Sequence, residues 1–97
     1  MILSVMALTG CSDGHLKVSL GTNPYSTSMP QLRITAVEQG MVLRGVKIND
    51  GDCNLAPLEF FPRRLFVDRA ETVNVAGECV VKKAEITTAD GTYSFRF

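Results

Sequence analysis

Four oxygen-bearing side chains at residues 49–54 form the densest group in the sequence that could bind an ion. Asn49, Asp50, Asp52 and Asn54 fall within six residues, and carboxylate and amide oxygens are the ligands of hard cations such as calcium. The spacing does not match an EF-hand loop, which ends in a distant glutamate. Short polar side chains beside Gly51 are also typical of a turn. The sequence therefore predicts a turn here, with ion or small-ligand binding as the alternative function.

The sequence contains few residues that could form a catalytic site. His15 is the only histidine, and no nucleophile stands near it in a spacing that a catalytic triad would need. The acidic residues that could act as a pair are Glu59, Asp68, Glu71 and Glu85. Nothing in their spacing brings two of them together. We therefore expect a protein that is not an enzyme, with His15 as a solvated residue of a polar tether.

The segment at residues 60–66 has the composition of a protein-binding surface. It combines three aromatic residues, Phe60, Phe61 and Phe66, with Arg63 and Arg64 in a loop bounded by prolines. The few residues that dominate binding energy at protein interfaces are enriched in aromatic and arginine side chains. The alternative is that one phenylalanine fills the core and both arginines are solvated. We expect these five residues to form the partner-binding site.

The charge balance excludes nucleic acid as a partner. Among 97 residues, ten Lys and Arg face ten Asp and Glu, and the pI is near 6.5. Binding to phosphate backbones needs clustered cations. There is no repeated metal-ligand spacing, so we expect no metal and no cofactor. The length allows one small domain.

Short stretches of alternating apolar and polar residues predict an all-β domain. The predicted strands lie at residues 16–20, 32–36, 41–48, 64–67, 72–75, 80–88 and 92–97. We expect residues 21–30 to form a loop or tether, and the strand at residues 41–48 to be bent or bulged at Gly45. Six to seven such strands predict a small antiparallel β-sandwich of immunoglobulin-like architecture, or an open barrel.

The last strand pairs with its predecessor through an Asp90-Gly91 turn, which is a strong hairpin signal. Tyr93, Phe95 and Phe97 share one face of it. This aromatic ending resembles the final strand of outer-membrane β-barrel proteins. A barrel of eight membrane strands would consume nearly the whole chain, so we expect the aromatic face to lie in a sandwich core.

The start of the chain carries a motif for lipid attachment. An apolar run at residues 2–8 leads into Leu8-Thr9-Gly10-Cys11, which resembles the lipobox of bacterial lipoproteins. No Lys or Arg precedes Cys11, unlike the usual basic start of a secretory leader. The alternative is an ordinary buried strand with Cys11 in the core.

The lipobox resemblance implies a location and a division of the chain. In lipoproteins the leader is removed and the cysteine carries acyl chains, which here implies residues 1–10 as leader and Cys11 as the acylated residue. Ser12 resembles the residue type that allows sorting to the outer membrane. Residues 11–14 would then be a tether, and residues 15–97 the β-sandwich domain. Several acyl chains suffice for stable attachment to the periplasmic face of the outer membrane.

With Cys11 assigned to the lipid, two cysteines remain. An even remainder in an exported chain predicts a disulfide between Cys53 and Cys79. The alternative is two free thiols in a cytosolic core.

The pattern around Val46–Cys53 and residues 85–95 resembles small exported proteins of enteric bacteria that have no assigned activity. The sequence therefore predicts a non-catalytic protein-binding or structural module of the cell envelope, acting as an accessory subunit, inhibitor or exclusion factor. Its expected partners are the membrane, through Cys11, and an envelope protein.

Overall fold

The computed structural model describes residues 10–12, 14–57 and 59–97, with the backbone alone at residues 10–12 and 26–28. Residues 1–9 of the predicted leader, which spans residues 1–10, and Asp13 of the predicted tether lie outside this part. The strands are β1 (Gly10–Ser12), β2 (Leu16–Asn23), β3 (Ser26–Ala36), β4 (Val42–Ile48), β5 (Arg63–Arg64), β6 (Glu71–Asn74), β7 (Lys83–Thr88) and β8 (Gly91–Arg96).

The strands form two antiparallel open sheets. One has the order β1-β2-β3-β6 and the other β5-β4-β7-β8. Alternate residues of both sheets point into one shared hydrophobic core, which includes Leu16 and Ile34 from the first sheet and Leu43, Ile86 and Phe95 from the second. The predicted all-β sandwich is therefore confirmed, and the two separate sheets exclude the open barrel.

Residues 21–30 are not the predicted loop. β2 continues to Asn23, and β3 begins at Ser26, so a long hairpin turns at Pro24 and Tyr25. The Asn23 side chain accepts a hydrogen bond from the Tyr25 backbone N–H (2.7 Å), which fixes a tight turn. Pro30 fits in β3 because its carbonyl still accepts a bond from the Val75 N–H (2.9 Å). The prediction was wrong because it took polar and proline residues as loop formers and ignored the neighbouring strand.

The other strands follow the sequence pattern more closely. The register of β4 on β7 shifts between Leu43 and Gly45, so the predicted bulge is confirmed. The β7–β8 hairpin turns at the predicted place, and Phe95 is buried. Two predicted strands differ in extent: the strand predicted at residues 64–67 is replaced by the two-residue β5, which shares only Arg64 with it. The strand predicted at residues 80–88 begins at Lys83.

The disulfide joins Cys53 and Cys79, with their Cα atoms 6.3 Å apart. Cys53 follows the 3-10 turn that ends β4, and Cys79 precedes β7, a strand that pairs with β4. The bond therefore ties together the two segments that leave one end of the same sheet, as the sequence predicted.

The two lateral edges of the sandwich differ. At one edge β1 lies against β8. At the other edge β5 and β6 lie opposite each other, and the Arg63 side chain spans the gap by donating to the Thr72 carbonyl (3.1 Å). We call these the β1/β8 edge and the β5/β6 edge.

Candidate functional site

The predicted binding segment, residues 60–66, lies at the β5/β6 edge. β5 pairs with β4 at two positions, Val42 with Arg64 and Leu43 with Arg63. Because paired residues share a face, Arg63 lies on the inner face with the buried Leu43, and Arg64 lies on the outer face. Two consecutive arginines thus have opposite environments.

Arg63 and Glu59 form a largely buried ion pair, which we call the clamp. Their side chains are only 13% and 9% exposed. Arg63 also donates to the Thr72 carbonyl, and Glu59 Oε2 accepts from the Asn74 backbone N–H (3.0 Å). These backbone groups lie on the side of β6 that faces away from β3. The clamp therefore gives hydrogen-bond partners to backbone groups at this sheet edge, which could otherwise pair with a strand of another chain.

The clamp also positions two aromatic rings. The Arg63 guanidinium carbon lies 5.3 Å from the Phe60 ring centre and 5.2 Å from that of Phe61, within the range of cation–π attraction. Arg63 Nε is buried without a hydrogen-bond partner among the described residues. Arg63 is thus committed to internal contacts, and its contribution to a binding surface is to hold the rings of Phe60 and Phe61.

The rings themselves divide between core and surface. Phe61 packs against the core, whereas Phe60 is 66% exposed. Phe66 is half-buried and carries the Arg69 guanidinium 4.0 Å above its ring centre. Arg64 is exposed. The structure thus brings all five predicted residues to one edge but presents chiefly Phe60 and Arg64 to solvent.

Two adjoining depressions lie on the outer side of this edge. The first, of about 390 Å³, is lined by Val42, Arg44, Phe61 and Pro62. The second, of about 550 Å³, is lined by Gln39, Gly40, Val42, Arg64, Leu65, Phe66, Val67 and Asp68. They share Val42, and we call them together the edge groove.

The sequence did not single out the polar residues that extend the clamp. Asn74 donates from its side chain to Glu59 (3.0 Å), and its Oδ1 accepts from Gln31 and from Asn23 (3.0 Å each). Gln31 is buried. The one signal in the sequence that could have indicated these residues is Gln31, which stands at the start of a strongly alternating strand. This polar chain connects the clamp to the β2–β3 hairpin, whose tip residue Tyr25 is 97% exposed.

Two of the four carboxylates considered for acid–base chemistry, those of Glu59 and Glu71, lie beside the same arginine. Glu71 Oε1 lies 4.0 Å from Arg63 Nη1, so Glu59 and Glu71 share one arginine. The positive guanidinium between them gives the pair a structural role in closing the sandwich.

The predicted turn at residues 49–54 is present and is held by Asn49. Its Oδ1 accepts from the backbone N–H groups of Lys82 (2.8 Å) and Lys83 (3.0 Å), and its Nδ2 donates to the Val80 carbonyl (2.8 Å) and lies 3.5 Å from the Cys53 sulfur. Asn49 and the next residue both have left-handed backbone conformations, with φ of 51° and 58°. The oxygen predicted as an ion ligand is thus used to fasten the turn to the start of β7.

Asp50, the second predicted ion ligand, accepts a hydrogen bond from Lys83 Nζ (2.9 Å). This bond and the charge of Lys83 hold the pKa of the Asp50 carboxyl below its ordinary value. Asp52 and Asn54 are exposed. In the described part of the chain, no group of three or more His, Cys, Asp or Glu side chains is placed to hold a metal ion.

His15 belongs to the folded domain. Its ring centre lies 5.3 Å from that of Tyr93, and its Nδ1 lies 3.6 Å from Glu38 Oε1. Its carbonyl accepts a bond from the Val37 N–H (2.9 Å). The side chain is half exposed, but its contacts are those of a domain residue rather than of a tether.

The backbone of Cys11 is part of β1, where it pairs with Val18 of β2. The predicted acylation site therefore lies at the β1/β8 edge, opposite the edge groove. The order of strands in the two sheets places these features on opposite sides.

Comparisons with known family models, curated proteins and solved structures find no match for this chain. Among the described residues, no helix has the length and apolar character needed to span a membrane.

Proposed function

We propose that this protein is a lipid-anchored module of the bacterial cell envelope that binds another protein through the β5/β6 edge and performs no catalysis. The observation that carries the proposal is the exposed Phe60 ring, which contacts the Arg63 guanidinium of the buried clamp at the same edge that exposes Arg64. A rigid aromatic anchor next to a cation is the combination that dominates binding energy at protein interfaces. The clamp supports it because a ring that is already fixed loses little side-chain entropy on binding.

The anchor and the binding edge are compatible in this arrangement. Acylation of Cys11 attaches the β1/β8 edge to the outer membrane. The β5/β6 edge then faces the periplasm, where an envelope partner can reach it. The disulfide between Cys53 and Cys79 supports an exported location, because disulfides persist in oxidising compartments such as the periplasm.

The test is a crosslinking pull-down from intact envelopes. The wild-type protein is compared with the double variant Phe60→Ser and Arg64→Glu. The matched control is Val80→Ser, which removes another exposed apolar side chain, 75% exposed, away from the edge groove. We expect a partner that is recovered with wild type and control but lost with the double variant. Equal recovery with all three proteins would overturn the assignment of the surface.

A further inference from the structure

The edge groove has an apolar floor and basic walls. Val42 lines both depressions, Phe61 lines the first, and Leu65 and Phe66 line the second. Val67, beside Phe66, is 45% exposed. Because the two depressions share Val42, a short extended segment that lies across this residue can contact both of them.

The charge on this groove is not balanced locally. Arg44 and Arg64 are exposed and form no ion pair or side-chain hydrogen bond with another described residue. The nearby carboxylates of Glu59 and Glu71 both face Arg63 and are partly or fully neutralised by it. Asp68 is the acidic residue that lines the groove. A chain of zero net charge thus presents two unpaired guanidinium groups beside the apolar residues of the edge groove.

We propose that the edge groove binds a short, extended, acidic segment of an envelope protein, and this rests on the proposed function for the existence of that partner. Carboxylates of the segment bind Arg44 and Arg64, and one apolar side chain between them packs on Val42 and Phe61. Arginine is suited to this role because its planar guanidinium binds carboxylates through two parallel hydrogen bonds.

The position of the anchor favours a protein over a lipid surface as the occupant. Anionic headgroups could also pair with arginines, but the membrane that holds Cys11 adjoins the β1/β8 edge. A four-stranded sheet separates its first and last strands by about 14 Å, given the usual spacing between strands. The groove, which is lined from β4 and from the segment around β5, therefore lies towards the side of this sheet opposite the edge to which the proposed bilayer is attached.

The experiment measures fluorescence anisotropy with the full chain in neutral detergent micelles. The probes are fluorescein-labelled hexapeptides with four acidic residues around one apolar residue, which is Val, Leu, Ile, Phe, Tyr or Trp in turn. A matched set carries Lys in place of every acid. We expect at least one acidic peptide, and no basic one, to bind with a Kd below about 1 mM. Higher salt should weaken this binding.

Charge reversal locates the binding. Arg44→Glu with Arg64→Glu should weaken the peptide at least about tenfold, because each lost arginine–carboxylate contact contributes more than a neutral hydrogen bond. The control is Lys17→Glu with Arg33→Glu, which makes the same charge change on exposed residues of the other sheet. It should leave the Kd within about twofold, since screened charges at that distance contribute little.

Three results would overturn the proposal. One is the absence of binding by every acidic peptide, and another is equal loss in both double variants. The third is preferential binding to phosphatidylglycerol vesicles over phosphatidylcholine vesicles that disappears with Arg44→Glu and Arg64→Glu, because that would make a lipid surface the occupant. If no acidic peptide binds but recovery of a partner in the pull-down still requires Phe60 and Arg64, the proposal of an acidic segment is rejected. The proposed function is then retained.

Discussion

At the scale of single residues, the clamp determines which side chains of the candidate surface face the core and which face solvent. The identical neighbours Arg63 and Arg64 have different roles because adjacent strand residues point to opposite faces. Arg63 is buried among Glu59, the Thr72 carbonyl and two aromatic rings, whereas Arg64 lines the groove. The sequence placed both in one functional class, since composition alone cannot tell which arginine faces inward in a two-residue strand.

This difference predicts unequal effects on stability. Arg63→Ala should lower the free energy of unfolding by about 2 to 3 kcal/mol, because it leaves the buried Glu59 carboxylate and the Thr72 carbonyl without their partner. Arg64→Ala should change it by less than about 0.5 kcal/mol, as for other exposed positions. Urea denaturation followed by circular dichroism measures both. Similar losses in the two variants would refute the inward assignment of Arg63.

Asn49 allows a second matched comparison. Asn49→Gly should cost about 2 kcal/mol, because glycine accepts the left-handed backbone but cannot replace the bonds to Lys82, Lys83 and Val80. Asp50→Gly, at a neighbouring left-handed residue, loses only an exposed ion pair and should be close to neutral. Thermal and urea unfolding of the two variants provide the measurement. A larger loss for Asp50→Gly would show that the turn is fastened by the ion pair instead.

At the scale of elements, the sequence predicted the strands whose own residues alternate. The β7–β8 hairpin and the bulge in β4 were predictable because the Asp90-Gly91 turn and Gly45 are local signals. The β2–β3 hairpin was missed because its extension beyond Leu20 depends on pairing across the sheet and on Val75, which is distant in sequence. The two sides of the edge groove come from β4 and residues 61–68, and no local pattern shows that they adjoin.

Among the contacts that join one strand to another, the disulfide has the largest expected effect on the free energy of unfolding. It closes a loop of 26 residues, for which the chain-entropy model gives about 3.5 kcal/mol. Adding a non-thiol-binding phosphine reductant to the wild-type protein should therefore lower the free energy of unfolding by about this amount. The same reductant should have no effect on the double variant Cys53→Ser and Cys79→Ser. An unchanged midpoint in the reduced wild type would mean that Asn49 and the pairing of β4 with β7 hold this end without the bond.

At the scale of the whole molecule, the predicted acylation site and the proposed binding surface lie at opposite lateral edges of the sandwich. The β1/β8 edge carries Cys11, and the β5/β6 edge carries the groove. The lipobox and the Phe–Arg segment were each visible in the sequence, but their placement on opposite sides required the strand order. This placement is compatible with the proposed module, which would be held at a membrane through one edge and bind a partner through the other.

The proposed acylation of Cys11 predicts that the protein will change its cellular fraction when this residue is replaced. Cys11→Ser removes the acceptor for acyl chains. The variant should therefore leave the membrane fraction and be recovered as soluble protein or as an uncleaved precursor. Intact mass of the wild-type protein should show a chain that begins at an acylated Cys11. Unmodified Met1 together with a free Cys11 thiol in protein from membranes would contradict the lipoprotein assignment.

Site-specific photo-crosslinking in intact cells tests directly whether the β5/β6 edge binds another protein. A photoreactive phenylalanine analogue is placed at Phe60 in one strain and at Val80 in another, since both side chains are exposed but lie on different parts of the domain. We predict one discrete envelope-protein adduct from position 60, which is absent from position 80 and lost when Arg64→Glu is added. An adduct from position 80 alone, or no adduct from position 60, would contradict the claim that the β5/β6 edge is the binding surface.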